Sequence, residues 1–249
     1  LVVKRINHRT NTHADQDFDD LTPAQQAVYG RWVVGFDFAD NHILPRADLE
    51  HEYLVDEDQV FFYYVTADDY ALLDRYERVH AAGLPGRILS TLDGLTDSLG
   101  GYRITRLEHS LQAATRARLD GANVEWIVAA LVHDIGDELA PFNHSELAAA
   151  VIQPYVAEEV HWVILHHGVF QSYYFAHHLG GDRNARDRFA DHRWAGLCAR
   201  FCAEWDQNSF DPDFPIHDLD SFADDVHLVF GRTPWADDVV AVGSQRLVD

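Results

Sequence analysis

His133 and Asp134 stand side by side in LVHDIGDELAPFNHSE (131–146), where a helical run is otherwise burying an apolar face. Val124, Ile127, Val128, Leu131, Val132 and Ile135 follow the three-four spacing of that face, and Gly136 is the expected stop. An aspartate in the last turn of such a helix meets the negative end of the helix dipole, which is unfavourable unless a cation compensates it. Asp206 has the same difficulty at the end of a second stripe, Trp194, Leu197, Cys198, Phe201, Cys202 and Trp205. Two carboxylates set against helix dipoles beside apolar faces suggest a shared positive partner. In a chain with 16 histidines that partner is expected to be a metal.

The placement of the histidines supports this. His109 lies in LEHSLQAA on the helix after Gly101, with small residues one and two turns on. His144 begins a helix that Asn143 and Glu146 are expected to cap and that runs to about Ile152, before Pro154. His167 continues the stripe Val156, Val160, Val163 and Ile164, whereas His166 is rotated from it by about 100°. A single inward histidine is an ordinary core residue. Four on separate helices, beside two misfit aspartates, make a candidate ligand set of His109, His133, Asp134, His144, His167 and Asp206. Asp137 either orients a ligand histidine or caps the following loop, and Glu108, just before His109, has the same two readings. His161, His177 and His178 are read mostly as surface or substrate-side groups.

The elements that must position these residues are helical. From Ala67 onward the pattern is helical and is punctuated by Gly83 to Gly86, Gly100-Gly101, Gly121, Gly136, Pro154 and Gly180-Gly181. Residues 1–65 read as an irregular arm or cap rich in Asp and His, with one β-like run, QVFFYYV (59–65); residues 66–249 read as a helical bundle. At 249 residues and 47% hydrophobic the chain can bury a substantial core. The net charge of −22, from 41 acidic and 19 basic residues with a single lysine, disfavours nucleic-acid binding. No run of eighteen apolar residues and no signal-like start occurs, so neither a membrane span nor secretion is expected and a cytoplasmic location is. Cys198 and Cys202, one turn apart on a buried face, suit a reducing compartment better than a disulfide.

The ordered set H…HD…D, here His109, His133-Asp134 and Asp206, resembles the HD-domain metalloprotein superfamily over roughly residues 80–230. With His144 and His167 it is similar to the binuclear branch. LEHSLQ, VHDIG, the histidine shortly after, and EWDQ resemble the mixed-valent di-iron oxygenases, represented by myo-inositol oxygenase and the phosphonate-cleaving HD oxygenases. The resemblance implies an all-α HD bundle around two metal ions, iron as Fe2+/Fe3+, with Asp134 bridging them. His109, His133 and Asp206 would complete one site, and His144 and His167 the other, with catalysis depending on His133 and Asp134. Imidazole and carboxylate suit iron, manganese or zinc alike.

Two reactions compete on such a scaffold. In the oxygenase reading O2 is activated and hydrogen is removed from a carbon bearing a hydroxyl, with C–C or C–P cleavage. In the alternative a metal-bound water attacks a small phosphate ester or nucleotide. The six-residue set favours the oxygenase, and a turnover-free metal scaffold fits least, because structural sites are closed by their ligands. Small-molecule substrate and O2 are the expected partners, with the oligomeric state open. The segment HGVFQSYYFAHHLGGDRNARDRF (167–189) supplies candidate substrate contacts in Gln171, Tyr173, His178 and Arg183. Its arginines suit an anionic substrate, or else form a ladder of intrahelical ion pairs. Gln171 and Ala203 stand where the phosphonate-cleaving branch has lysine and arginine, which argues against phosphonate as the anion.

Overall fold

The computed structural model describes residues 67–240 and four short strands before them. Strands β1 (Val2–Asn7) and β2 (Thr12–Asp17) pair antiparallel, with Val2 opposite Asp17 and Asn7 opposite Thr12; β3 (Phe36–Asp37) and β4 (His42–Ile43) form a second antiparallel pair. Both strand pairs lie in the segment expected to be irregular. THADQD has no β-branched or aromatic residue after Thr12, so its composition gives no strand signal. The run QVFFYYV lies outside the described residues. The chain divides into two compact units, Leu1–Ala81 and Ala82–Asp249. Helix α1 (Ala67–Ala82) thus falls almost wholly before the boundary, not after it. From Tyr70 onward α1 buries no side chain, and Asp74 and Arg78 form an exposed ion pair one turn apart.

The second unit is all-helical in its described residues. Helix α2 (Leu84–Gly94) opens with Pro85 in its first turn and buries Ile88 and Leu92. Helix α3 (Arg106–Leu119) starts in a capping box: the Thr105 hydroxyl accepts from Glu108 N at 3.0 Å, and the Glu108 carboxylate accepts from Thr105 N at 2.6 Å. Helix α4 (Val124–Val132) is capped by Asn123, whose side chain accepts from the amides of Glu125 and Trp126. Every residue of α4 after Val124 is buried, so α4 is the central element. Helices α5 (His144–Ile152), α6 (Glu158–Phe175) and α7 (Ala195–Arg200) follow; α3 packs on α4, and α6 on both α5 and α7.

Three details differ from the sequence expectation. Helix α4 ends at Val132, one residue before His133, and residues 133–139 form a series of turns. Gly136 is therefore a contact residue and not a helix stop. A Cβ there would lie 2.8 Å from the carbonyl oxygen of His144 and 3.0 Å from its Cα, so glycine lets the turn approach the start of α5. Asn143 does not cap α5 with its side chain, which donates instead to Glu146 at 3.2 Å. Finally, α7 gives way to a π-helical turn, Phe201–Asp206, closed by the amide of Gln207 on the carbonyl of Cys202 at 2.8 Å. The wider turn faces Phe201, Cys202, Trp205 and Asp206 into the core together. Trp205 packs edge-on against Trp126 of α4, and its indole N–H donates to Asp120 at 2.7 Å.

The rest of the core is fastened by buried charge. Glu125 accepts from the amide of Ala157, which caps α6, and from Arg232, which follows α8 (Ala223–Phe230). Helix α9 (Asp237–Val240) ends the described chain, and no described helix is long and apolar enough to cross a membrane. Nearby, burial pushes the Glu159 carboxyl up to about 7, with Arg193 opposing the shift and Glu125 adding to it. The folded protein therefore holds this proton more tightly than the unfolded chain does, and its contribution to stability is lost as pH rises from 4.5 through about 7. We expect Glu159→Gln to melt above wild type at pH values over 7, with the gap closing as pH falls. Parallel thermal unfolding at several pH values checks this; a gap independent of pH would contradict it.

Candidate metal centre

The candidate centre is built around Asp134, which sits two residues past the end of α4 and is almost wholly buried. Its two oxygens face different pairs of histidines. Oδ2 lies 3.2 Å from His109 Nε2 and 3.3 Å from His133 Nε2; Oδ1 lies 3.3 Å from His167 Nε2 and 3.4 Å from His144 Nε2. Asp206, delivered by the π turn, adds Oδ1 at 3.5 Å from His109 Nε2 and 3.8 Å from His133 Nε2. Helix α3 supplies His109, the end of α4 His133, the first residue of α5 His144, and the buried face of α6 His167. The structure thus brings all six expected residues together.

Backbone carbonyls fix which nitrogen of each ring faces inward. His109 Nδ1 donates to Ser209 O at 2.8 Å, His133 Nδ1 to Ala130 O at 2.8 Å and His167 Nδ1 to Ile164 O at 2.7 Å. Because a carbonyl can only accept, each Nδ1 carries a hydrogen and each ring turns its Nε2 toward the carboxylates. The Nε2 atoms of His109 and His133 face each other at 3.1 Å. That arrangement is repulsive unless a proton or a metal cation lies between them. His144 is oriented differently, with Nδ1 lying 3.4 Å from Asp137 Oδ1. A carboxylate behind a histidine in this way fixes the ring and raises its basicity toward a metal.

The charges respond to this packing. Burial works against the imidazolium forms of His109 and His133, but Asp134 and Asp206 outweigh it and raise both above the ordinary histidine value. Burial also works against ionised Asp134 and Asp206, yet the surrounding imidazoles hold both carboxyls below their usual range. For His144 burial prevails over Asp134, and its value is lowered. The cluster therefore attracts positive charge at its centre. Three groupings present ligand atoms close enough to share an ion: His109 with His133 and Asp206, His133 with Asp134 and His167, and Asp134 with Asp137 and His144. These nitrogen and oxygen donors fit a divalent first-row metal.

One side of the centre opens on a cavity of about 700 Å³ whose wall includes Asp134, His144, His167 and Asp206, together with Gln171, Gln207, Tyr102 and Phe210. Gln171 lies where the sequence analysis expects a substrate contact. Its amide donates to Gln207 at 2.9 Å, leaving its own oxygen buried without a hydrogen-bond partner, as is Asp206 Oδ2. Tyr173, His178 and Arg183 are not among the residues that line this cavity. Arg183 and Arg186 stack on the Tyr173 ring at 4.1 and 3.7 Å, and His178 packs against His177. Nor does the segment carry a helical ion-pair ladder, since Ala185–Phe189 is a short 3-10 stretch and not an α-helix. Glu108 is engaged in the capping box of α3, while Asp137 backs His144 as one of its two readings expected.

The main group that the sequence analysis missed is Arg106, buried at the start of α3. Its guanidinium donates to Asp134 Oδ2 through Nη2 and to Asp137 Oδ2 through Nε at 2.6 Å, and it lines the cavity. The available signal was its position three residues before His109, which puts both on one helix face. Phe210 was missed as well; it stacks on His109 at 4.3 Å. No family model matches the chain, and no curated protein sequence matches it. We expect His133→Ala and Asp134→Ala to lose bound metal while the helices remain. Elemental analysis beside circular dichroism checks this, and wild-type metal content in either variant would contradict it.

Proposed function

We propose that residues 82–240 form an HD-type dinuclear metal centre serving an O2-dependent oxygenase. Its substrate is a small hydroxylated molecule, attacked at the C–H bond next to the hydroxyl, with cleavage of the adjacent C–C bond. The observation that carries the reading is the division of the four histidines by one carboxylate: Asp134 Oδ2 toward His109 and His133, Oδ1 toward His144 and His167. A shared carboxylate between two histidine pairs is what a bridging ligand requires. When bound, two iron ions would supply activation of O2 and the electrons that pass between substrate and oxygen.

The residues of the chain account for binding and selectivity. On the His109 side His133, Asp206 and Asp134 crowd the site, whereas His144 and His167 share only Asp134 and border the cavity. The second position therefore has room for a substrate hydroxyl. Leu99, Phe175 and Phe210 give the wall apolar surface that limits water, and Gln171 lies in the same wall. An anionic group on the substrate would find Arg106 in the wall. That same guanidinium beside Asp134 is also the observation that favours the second reading, hydrolysis of a small phosphate ester.

Anaerobic purification with iron quantification, then EPR after partial oxidation and O2-uptake assays, tests the choice. The oxygenase reading expects two irons per chain, a coupled mixed-valent signal and turnover that stops without O2. Phosphatase turnover with zinc or manganese, unchanged by excluding O2, would overturn it in favour of the hydrolase.

A further inference from the structure

We infer that Arg106 is the positioning residue of the second metal site: by clamping Asp134 and Asp137 together it holds His144 in ligating position. This rests on the dinuclear reading of the cluster and not on the choice of oxygenase over hydrolase. The contacts form a closed ring. Arg106 grips Asp137 Oδ2 with both Nε and Nη2 at 2.6 Å, and Nη2 also binds Asp134 Oδ2. The other oxygen of Asp137 faces His144 Nδ1 at 3.4 Å, and the opposite nitrogen of that ring faces Asp134 Oδ1 at 3.4 Å. Arg106, Asp137, His144 and Asp134 thus hold one another in turn.

His144 needs this support more than the other ligands do. His109, His133 and His167 are each anchored by a backbone carbonyl and fully buried, whereas the His144 side chain keeps 27% of its exposure and has the Asp137 carboxylate behind it. Its backbone is held close by the Gly136 contact, but that contact leaves the ring free to turn. Asp137 is itself steered by the guanidinium, and the guanidinium by the first turn of α3, which the Thr105–Glu108 capping box fixes. The planar fork of arginine can serve two carboxylates at set angles. A lysine ammonium keeps the charge without that geometry. Charge balance alone would make the two interchangeable; positioning would not.

The test is anaerobic titration of the full chain with ferrous iron, read as stoichiometry and two dissociation constants by calorimetry. Wild type is expected to take two equivalents. Arg106→Lys should keep the tighter site and bind the second ion about 10–100-fold more weakly, the range for loss of a group that orients a ligand. Asp137→Asn should do the same, and the double variant should be little worse than either single one, because the two residues act through one ring. Wild-type affinities in Arg106→Lys, or effects that multiply in the double variant, would overturn the inference. Should Arg106→Lys fail to fold, an unchanged second affinity in Asp137→Asn overturns it equally. A wild-type chain binding fewer than two ions would remove the dinuclear reading and the inference with it.

Discussion

A carboxylate buried at the centre of a helical unit has to be neutralised, and the arrangement of residues 82–240 follows from how Asp134 is. Left unpaired in the interior, an ionised aspartate costs several kcal/mol or is forced to take up a proton. Here four imidazoles and one guanidinium surround it, and they come from α3, the end of α4, α5 and α6. Binding a cation at this point connects elements far apart in sequence, so metal affinity and the stability of the bundle are linked.

The scaffold holds its ligands through the backbone more than through other side chains. Three of the four rings are locked by main-chain carbonyls, two of them belonging to the turn of the ring's own helix. The π turn contributes in the same way, since its extra residue per turn sets Asp206 against His109 and His133 while Trp205 stays packed on Trp126. The arrangement is also asymmetric. His109 and His133 are closed in by Phe210 and the core, whereas His144 and His167 border the cavity.

Much of this was legible in the sequence because it depends on helical periodicity. The stripes through Val132, Ile164 and Trp205 gave three helices, and residues that continued or misfitted those stripes gave His133, Asp134, His167 and Asp206. Features set by tertiary contact were not legible. Gly136 reads as a helix stop, yet its reason is the backbone of α5 lying against it. Asn143 and Glu146 have the spacing of a cap but bond each other, while the working box is at Thr105 and Glu108. The arginines of 183–188 are conspicuous in an acidic chain but stack on Tyr173 and Phe189, whereas the guanidinium beside the centre is that of Arg106. Local spacing cannot tell a stacking arginine from a buried one, because the difference lies in what packs over it. In the first unit the pairing of β1 with β2 escaped because THADQD carries no β-branched or aromatic residue after Thr12.

The claim on which the account rests is that one carboxylate bridges two ions. Anomalous diffraction at the iron edge, from crystals grown and loaded without oxygen, examines it directly. Two peaks should flank the Asp134 side chain, one against His109, His133 and Asp206 and the other against His144 and His167. A single peak, or peaks away from Asp134, would contradict the account.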